Sequence, residues 1–340
     1  MAIEIKATGK AIPSLRVSND DLAKKIDTSD EWIRSHTGIG ARHIADSETA
    51  CSDLALSAAI STLEMMLMQE GCKEKSLEEI ALTIDMIVLA SATQDYFGCP
   101  STSCVVQHKL GAKNAATMDI TAGCTGFIYA LETAYALLSV NSSRKRALVI
   151  GSDILTRFTD WSDRGSCVLF GDGAGAVLIE KTECTERRGI LRTILRADGS
   201  GYEHLMIKDG GSRNPFKDSQ FIEKAPYIFM NGHAVYNFAV KAVVEIIEGF
   251  LVEEKISIDD ISRIIPHQAN ARIVSAAGKR LGIPEEKFFL NIEEYANTSA
   301  ASIPIALDEL NRSGDIHRGD LILMVGFGAG LTYGGNLIVF

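Results

Sequence analysis

The sequence predicts an α/β protein made of two similar βα halves, and three observations carry that expectation. Apolar runs at residues 84–90, 116–121, 146–153 and 174–180 alternate with glycine-rich or polar loops and helical segments. Uninterrupted apolar strands alternating with helices indicate a sheet covered on both faces. The pattern returns at 261–265, 287–291 and 321–325, after a polar, irregular stretch from 183 to 225. The two runs also keep similar time. His267 and Asn297 are 297 − 267 = 30 residues apart, and Gln94 and Cys124 occupy corresponding loops 124 − 94 = 30 apart. The expected halves are residues 1–180 and 181–340, with strand-end loops converging on one site, as ligand-binding loops do at the carboxyl ends of strands in open α/β sheets.

In chain order, residues 1–50 open with a short β-like piece and a helix carrying Asp-Asp-Leu-Ala-Lys-Lys. Thr28-Ser-Asp-Glu31 reads as a helix cap, an oxygen-bearing residue followed three positions later by an acid. Residues 37–43 form a loop, and 51–70 form a helix whose methionines fill core space. The segment 104–110 is helical, and 116–121 is the strand that leads to Cys124. From Phe127 to Val140 nearly every residue is apolar, the mark of a buried helix. Cys124 therefore stands at a helix N-terminus, where unpaired amides and the helix dipole favour thiolate over thiol. Taken alone, it is equally readable as one more small buried hydrophobe. A long amphipathic helix is expected from 232 to 253, and helices are expected after His267 and after Asn297.

Composition narrows the function. A net charge of −10 and a pI near 5.3 disfavour nucleic acid as a partner. No apolar run reaches the roughly 18–20 residues that cross a bilayer, and the N-terminus lacks the basic-then-apolar order of a signal peptide, so a cytoplasmic protein with no membrane partner is expected. The cysteines are odd in number and scattered, with no CxxC pair, and the histidines show no HExxH spacing. Neither a disulfide framework nor a metal site is expected. Gly326-Phe-Gly-Ala-Gly330 and Gly171-Asp-Gly-Ala-Gly175 lack the GxGxxG spacing of a dinucleotide fingerprint. The first reads as a tight turn whose amides can approach a ligand closely.

Cys, His and Asn at three loop positions make a set suited to acyl transfer. The thiol attacks a thioester, while imidazole and carboxamide donate hydrogen bonds to an oxygen gaining charge. Each has a plainer reading alone: His267 as a satisfied structural histidine, Asn297 as a helix cap.

Nearly the whole chain resembles the condensing enzymes of the thiolase superfamily, and within them the β-ketoacyl-acyl-carrier-protein synthase III family. The resemblance is carried by Thr-Ser-Asp-Glu-Trp-Ile, Asp-Ile-Thr-Ala-Gly-Cys-Thr-Gly-Phe, Phe-Gly-Asp-Gly-Ala-Gly-Ala, Pro-His-Gln-Ala-Asn-Ala-Arg-Ile, Asn-Thr-Ser-Ala-Ala-Ser-Ile-Pro and Gly-Phe-Gly-Ala-Gly-Leu-Thr-Tyr-Gly, in that order. It implies a thiolase-like layered α-β-α-β-α fold and a Cys124-His267-Asn297 triad. It also implies an oxyanion hole from the backbone of Cys124 and the Gly328-Ala329 turn. The implied reaction starts fatty-acid synthesis: a short acyl-CoA acylates the cysteine, malonyl-acyl-carrier protein loses CO2, and its enolate takes the acyl group. Acyl-CoA is then a substrate and no cofactor is implied. Thr28, Trp32, Arg164, Asn270 and Arg272 match the family's CoA contacts, with Trp32 and Arg164 sandwiching adenine. His36 and His233 depart from the family's usual arginine and asparagine, and Arg34 is a candidate to compensate. Arg272, Lys279 and Arg280 match a docking patch for the acidic carrier protein. Phe97, in a divergent 95–100 loop, is the candidate to close the acyl pocket across a homodimer. The alternatives are a secondary-metabolite condensing enzyme or acyltransferase with another starter, and a non-catalytic binding subunit, which the intact triad opposes. A hydroxymethylglutaryl-CoA synthase lacks an obvious general-base acid.

Overall fold

In the computed structural model, residues 2–69, 73–183, 186–216 and 226–340 are described. The strands begin with β1 (Ala2–Ala11), β2 (Leu15–Ser18), β3 (Ala41–Ile44), β4 (Met86–Ala90), β5 (Ala116–Ile120), β6 (Arg146–Ile154) and β7 (Asp172–Thr182). Those that follow are β8 (Gly189–Ala197), β9 (Leu205–Ile207), β10 (Ile228–Met230), β11 (Arg263–Pro266), β12 (Leu321–Gly328) and β13 (Thr332–Val339). Two mixed sheets dominate, in the orders β1-β7-β6-β4-β5 and β11-β12-β13-β8. Among these strands, β4 pairs in parallel with β5 and β6, and β11 with β12.

The sheets are two layers of five. Between them lie the helices Gly126–Val140 and Ser302–Ser313. Their apolar side chains, among them Phe127, Leu131, Leu138 and Leu307, share one core with Val88 and Val149 of the first sheet and Ile265 and Met324 of the second. Each buried aliphatic side chain of this kind contributes about 1.5–3 kcal/mol of apolar transfer. The outer face of the first sheet is covered by Cys51–Leu67, Leu77–Ala81 and Thr102–Leu110, and that of the second by Gly232–Glu254 and Ala271–Leu281. This is the α-β-α-β-α order the resemblance implied. Its middle layer explains why the helix after Cys124 is apolar nearly all round: it has sheet on two sides. The turn that leads into Ser302–Ser313 packs on Gly151 in β6, where a Cβ would stand 2.2 Å from the Ala300 carbonyl oxygen.

Three local expectations are corrected. Residues 287–291 form no strand. Glu285–Lys287 is a 3-10 turn, and only Phe288 bridges to Ile264 at the edge of the second sheet. The stretch from 183 is not irregular throughout, because β8 pairs along β13 in the second sheet. The helix Asp30–Thr37 is capped by Ser29, whose hydroxyl accepts from the Trp32 amide at 3.1 Å, and not by Thr28.

Candidate active site

The chain reaches Cys124 from β5 through a turn that only glycine fits. Gly123 has φ +53°, and the 3-10 turn Gly123–Thr125 runs directly into the helix Gly126–Val140. Against it lies the end of β12. A Cβ on Gly328 would sit 2.7 Å from the Cys124 nitrogen, and one on Gly123 would sit 2.9 Å from the Ala329 nitrogen. The two turns are nested, so their backbones lie side by side at the nucleophile. Thr332 Oγ1 donates to the Ala122 carbonyl at 2.9 Å and Thr125 Oγ1 to the Thr332 carbonyl at 3.0 Å, locking the pair.

His267 follows β11, its amide continuing the parallel ladder to the Val325 carbonyl at 2.8 Å. The ring is buried, with Phe327 edge-on at 5.2 Å and Ser302 Oγ 2.7 Å from Nδ1. Ser302 Oγ accepts from the Gln268 amide at 3.4 Å, which leaves its own hydrogen for Nδ1. We assign the tautomer from these bonds: Nδ1 accepts, and Nε2 carries the hydrogen. Burial pushes the imidazole pKa down to about 3, so the ring is neutral.

Asn297 is pinned by its backbone, which donates to the Leu169 carbonyl at 2.9 Å and accepts from Gly171 at 3.0 Å. Its Oδ1 accepts from the Ser299 amide at 2.8 Å, and among the described residues its Nδ2 has no partner. Ala296 and Ser299 on either side hold φ of 56° and 51°, positions that side chains avoid without a compensating constraint. Asn297 thus presents a fixed N–H donor.

Cys124, His267, Asn297, Gly328 and Ala329 all line one cleft of about 470 Å³. That is the size of a ligand site for a small molecule or an extended thioester arm. Its wall is mainly apolar, including Leu155, Phe170, Leu205, Met230 and Ile273. The Cys124 side is half-buried, open only toward the cleft. The enclosing protein pushes the thiol up to about 12, while the Ser299 hydroxyl and a backbone amide pull the other way. The helix start, where unpaired amides and the dipole favour the thiolate, opposes that desolvation.

The other candidates lie around the mouth, with differences. Trp32 and Asn270 line the cleft. The Arg164 guanidinium lies on the Trp32 ring, 4.5 Å from its centroid, and His36 stacks on Trp32 at 4.5 Å and 22°. No gap for a base separates Trp32 and Arg164, so a sandwich requires the arginine to swing away. Asn270 caps the helix Ala271–Leu281 through Oδ1 and donates to the His36 carbonyl at 3.0 Å, tying this helix to Asp30–Thr37. Thr28 does not line the cleft, yet its Oγ1 is a buried polar atom without a partner among the described residues. Arg34 is engaged by Asp30 at 2.9 Å and Glu293 at 2.6 Å. His233 faces Asn237. Arg272, Lys279 and Arg280 are exposed on one short helix, none with a side-chain hydrogen bond among the described residues. Phe97 is 66% exposed, lies edge-on to Phe216 at 6.4 Å, and does not line this chain's cleft.

Sequence reasoning missed Ser302, Ser299 and Phe327 as parts of the site. The motif Asn-Thr-Ser-Ala-Ala-Ser held the first two, but only the fold shows that those serines face the histidine and the cysteine.

Known proteins share this sequence and fold. Residues 118–199 match the family model for 3-oxoacyl-[acyl-carrier-protein] synthase III, and residues 251–340 match that for its C-terminal part. A β-ketoacyl-[acyl-carrier-protein] synthase III of Clostridium perfringens is 49% identical over 97% of this chain and 97% of its own length. One of Clostridium acetobutylicum is 43% identical over 99% of this chain and 98% of its own. The crystal structure of 3-oxoacyl-[acyl-carrier-protein] synthase III from Aquifex aeolicus VF5 superposes with a TM-score of 0.86 at 41% identity, covering all of both chains. The priming β-ketosynthase of the R1128 polyketide pathway superposes equally well, with a TM-score of 0.86 at 31% identity over 100% of this chain and 96% of its own. The layered fold, the nested turns and these near-full-length matches agree: the chain belongs to the 3-oxoacyl-[acyl-carrier-protein] synthase III family.

Proposed function

We propose that the protein catalyses the decarboxylative condensation of a short acyl-CoA with malonyl-acyl-carrier protein, initiating fatty-acid synthesis. Cys124 attacks the acyl thioester and CoA leaves as its thiolate. Malonyl-acyl-carrier protein then enters, and its thioester carbonyl accepts from His267 Nε2 and Asn297 Nδ2. As CO2 departs, that oxygen becomes the enolate, held by two neutral donors. Neutral donors stabilise the enolate without the strong attraction that a cation would exert on the departing carboxylate. The enolate carbon attacks the acyl-Cys124 carbonyl, whose oxygen is held by the amides of Cys124 and the Gly328-Ala329 turn. Cys124 is released as a thiolate.

The observation that carries this reading is the fixing of both donors from behind. Ser302 holds His267 and the Ser299 amide holds Asn297, leaving one N–H of each toward the cleft that Cys124 shares. His267→Ala and Asn297→Ala are expected to accept an acetyl group from acetyl-CoA while losing malonyl decarboxylation by ~10²–10³. Release of labelled CO2 from malonyl-acyl-carrier protein checks this. Decarboxylation at the normal rate in both variants refutes the division of labour.

The finer assignments belong to the same proposal. CoA is bound by Thr28, Trp32, Arg164, Asn270 and Arg272, after Arg164 lifts from Trp32. The acidic carrier protein docks on Arg272, Lys279 and Arg280. The halves 1–180 and 181–340 each contribute a face of the cleft. The protein works in the cytoplasm as a homodimer, with Phe97 reaching the partner's acyl pocket, and needs no cofactor beyond its substrates. The exposed edge strand β5 and the exposed Tyr96 and Phe97 support a second copy at that side. The curated relatives' shared name favours this over the secondary-metabolite alternative.

A further inference from the structure

Two threonines tie together the turns that meet at the nucleophile, and the chemistry above gives them no role. Thr332 opens β13, directly after the glycine turn. Its Oγ1 stands 2.9 Å from the Ala122 carbonyl, 2.9 Å from the Ala329 carbonyl and 3.1 Å from Thr125 Oγ1. Thr125 is fully buried and sends its own hydroxyl hydrogen to the Thr332 carbonyl at 3.0 Å. That hydrogen is committed, so Thr125 Oγ1 meets Thr332 Oγ1 as an acceptor. One hydroxyl thus spans a carbonyl of the cysteine turn and a carbonyl of the glycine turn, and a second hydroxyl closes the clamp.

The spanned carbonyls flank the amides assigned above to the attacked oxygen. The Ala122 carbonyl belongs to the peptide just before the one that carries the Cys124 N–H, and the Ala329 carbonyl to the peptide just after the one that carries the Ala329 N–H. Among the described residues, neither N–H donates to a protein oxygen, and no backbone–backbone hydrogen bond joins the two turns. Their contact is glycine against backbone, with a Cβ on Gly123 or Gly328 falling 2.9 Å and 2.7 Å from the opposite turn. Glycine permits that approach but does not fix it, because its backbone is the least restricted of all. The hydrogen bonds that hold the spacing are those of Thr332 and Thr125.

We propose that Thr332 and Thr125 are positioning residues for the oxyanion hole, their hydroxyls holding the amides of Cys124 and Ala329 at the spacing that the attacked thioester oxygen needs. This inference rests on Cys124 being the acyl carrier proposed above. Such donors act only within about 3 Å of the oxygen, and a misplacement of about 1 Å costs about 10²-fold. The malonyl thioester oxygen is held by His267 and Asn297 instead, so the clamp serves acyl transfer and not decarboxylation.

The test compares three rates in Thr332→Val, Thr125→Val and Thr332→Ser. Valine keeps the outline of threonine without the hydroxyl, and serine keeps the hydroxyl. Acetyl transfer from acetyl-CoA to Cys124, read by quenched intact-mass spectrometry, passes through the oxyanion. Iodoacetamide alkylation of Cys124 is a displacement at saturated carbon and does not. Release of CO2 from malonyl-acyl-carrier protein by the unacylated protein uses the other donor pair. At saturating acetyl-CoA, Thr332→Val is expected to slow acetyl transfer by about 10². Thr125→Val, which leaves the Thr332 bridge, is expected to lose about tenfold. The half-saturating acetyl-CoA concentration, alkylation and CO2 release stay unchanged in both, and Thr332→Ser restores most of the acetyl transfer. A wild-type acetyl transfer rate in Thr332→Val, or an equal loss in alkylation and CO2 release, overturns the proposal. If Thr332→Val does not fold, Thr125→Val decides by the same comparison. If the wild-type protein takes no acetyl group from acetyl-CoA, the proposed function fails instead. Acetylation by p-nitrophenyl acetate, which also builds an oxyanion at Cys124 but needs no CoA site, then reads the clamp through the same variants.

Discussion

His267 meets Cys124 in this site as a neutral imidazole, and that fixes what the ring can do. A thiolate–imidazolium pair needs a histidine that holds its second proton, yet burial takes His267 down to about 3. The ordinary imidazole value is about 6.5. Between these values the folded ring stays unprotonated, so acidification from pH 8 to pH 5 leaves Nε2 a neutral donor. Malonyl decarboxylation is therefore expected to show no acid limb from His267 in that range, measured by CO2 release with the carrier protein saturating. A loss of rate following a single protonation between pH 6 and 7, absent in His267→Gln, contradicts the neutral assignment. The sequence placed the three reacting side chains in loops but not their charge states. Those depend on enclosure by Phe327, Ser302 and Ser299, which approach only when the halves fold together.

At the scale of elements, legibility followed periodicity. The helix after Cys124 and the strands β4, β5, β6 and β7 showed in the sequence because continuous apolar runs mark buried elements. β8 did not, although Gly-Ile-Leu-Arg-Thr-Ile-Leu-Arg-Ala forms a full strand. Its exposed arginines and half-buried threonine interrupt the apolar run, and the surrounding polar loops hid it. At 287–291 the opposite error arose, since Phe288 is buried beside an edge strand without extending the sheet beyond a single bridge. The helix Ala271–Leu281 was legible as a unit, but its basic residues were not distinguishable from end-of-helix cations. Lys279 and Arg280 do lie in its last turn, where they complement the dipole. Their proposed second role is testable. Lys279→Glu with Arg280→Glu is expected to raise the KM for malonyl-acyl-carrier protein about tenfold or more at low salt, with acetyl transfer from acetyl-CoA unchanged, because interface charges act on encounter. An unchanged KM places the carrier protein elsewhere.

Across the whole molecule, the site exists because two sheets clamp two helices and bring their loop ends to one face. Cys124 enters from the first sheet, His267 leaves the second, and Asn297 is held by the Leu169–Gly171 backbone, far from it in sequence. The central claim is that this junction makes Cys124 the residue that carries the acyl group. The most direct measurement is intact-mass and peptide mapping after incubation with acetyl-CoA: one acetyl group per chain is expected, on Cys124, and none in Cys124→Ala. A folded protein left unmodified, or acetylated at another cysteine while Cys124 stays free, contradicts the account.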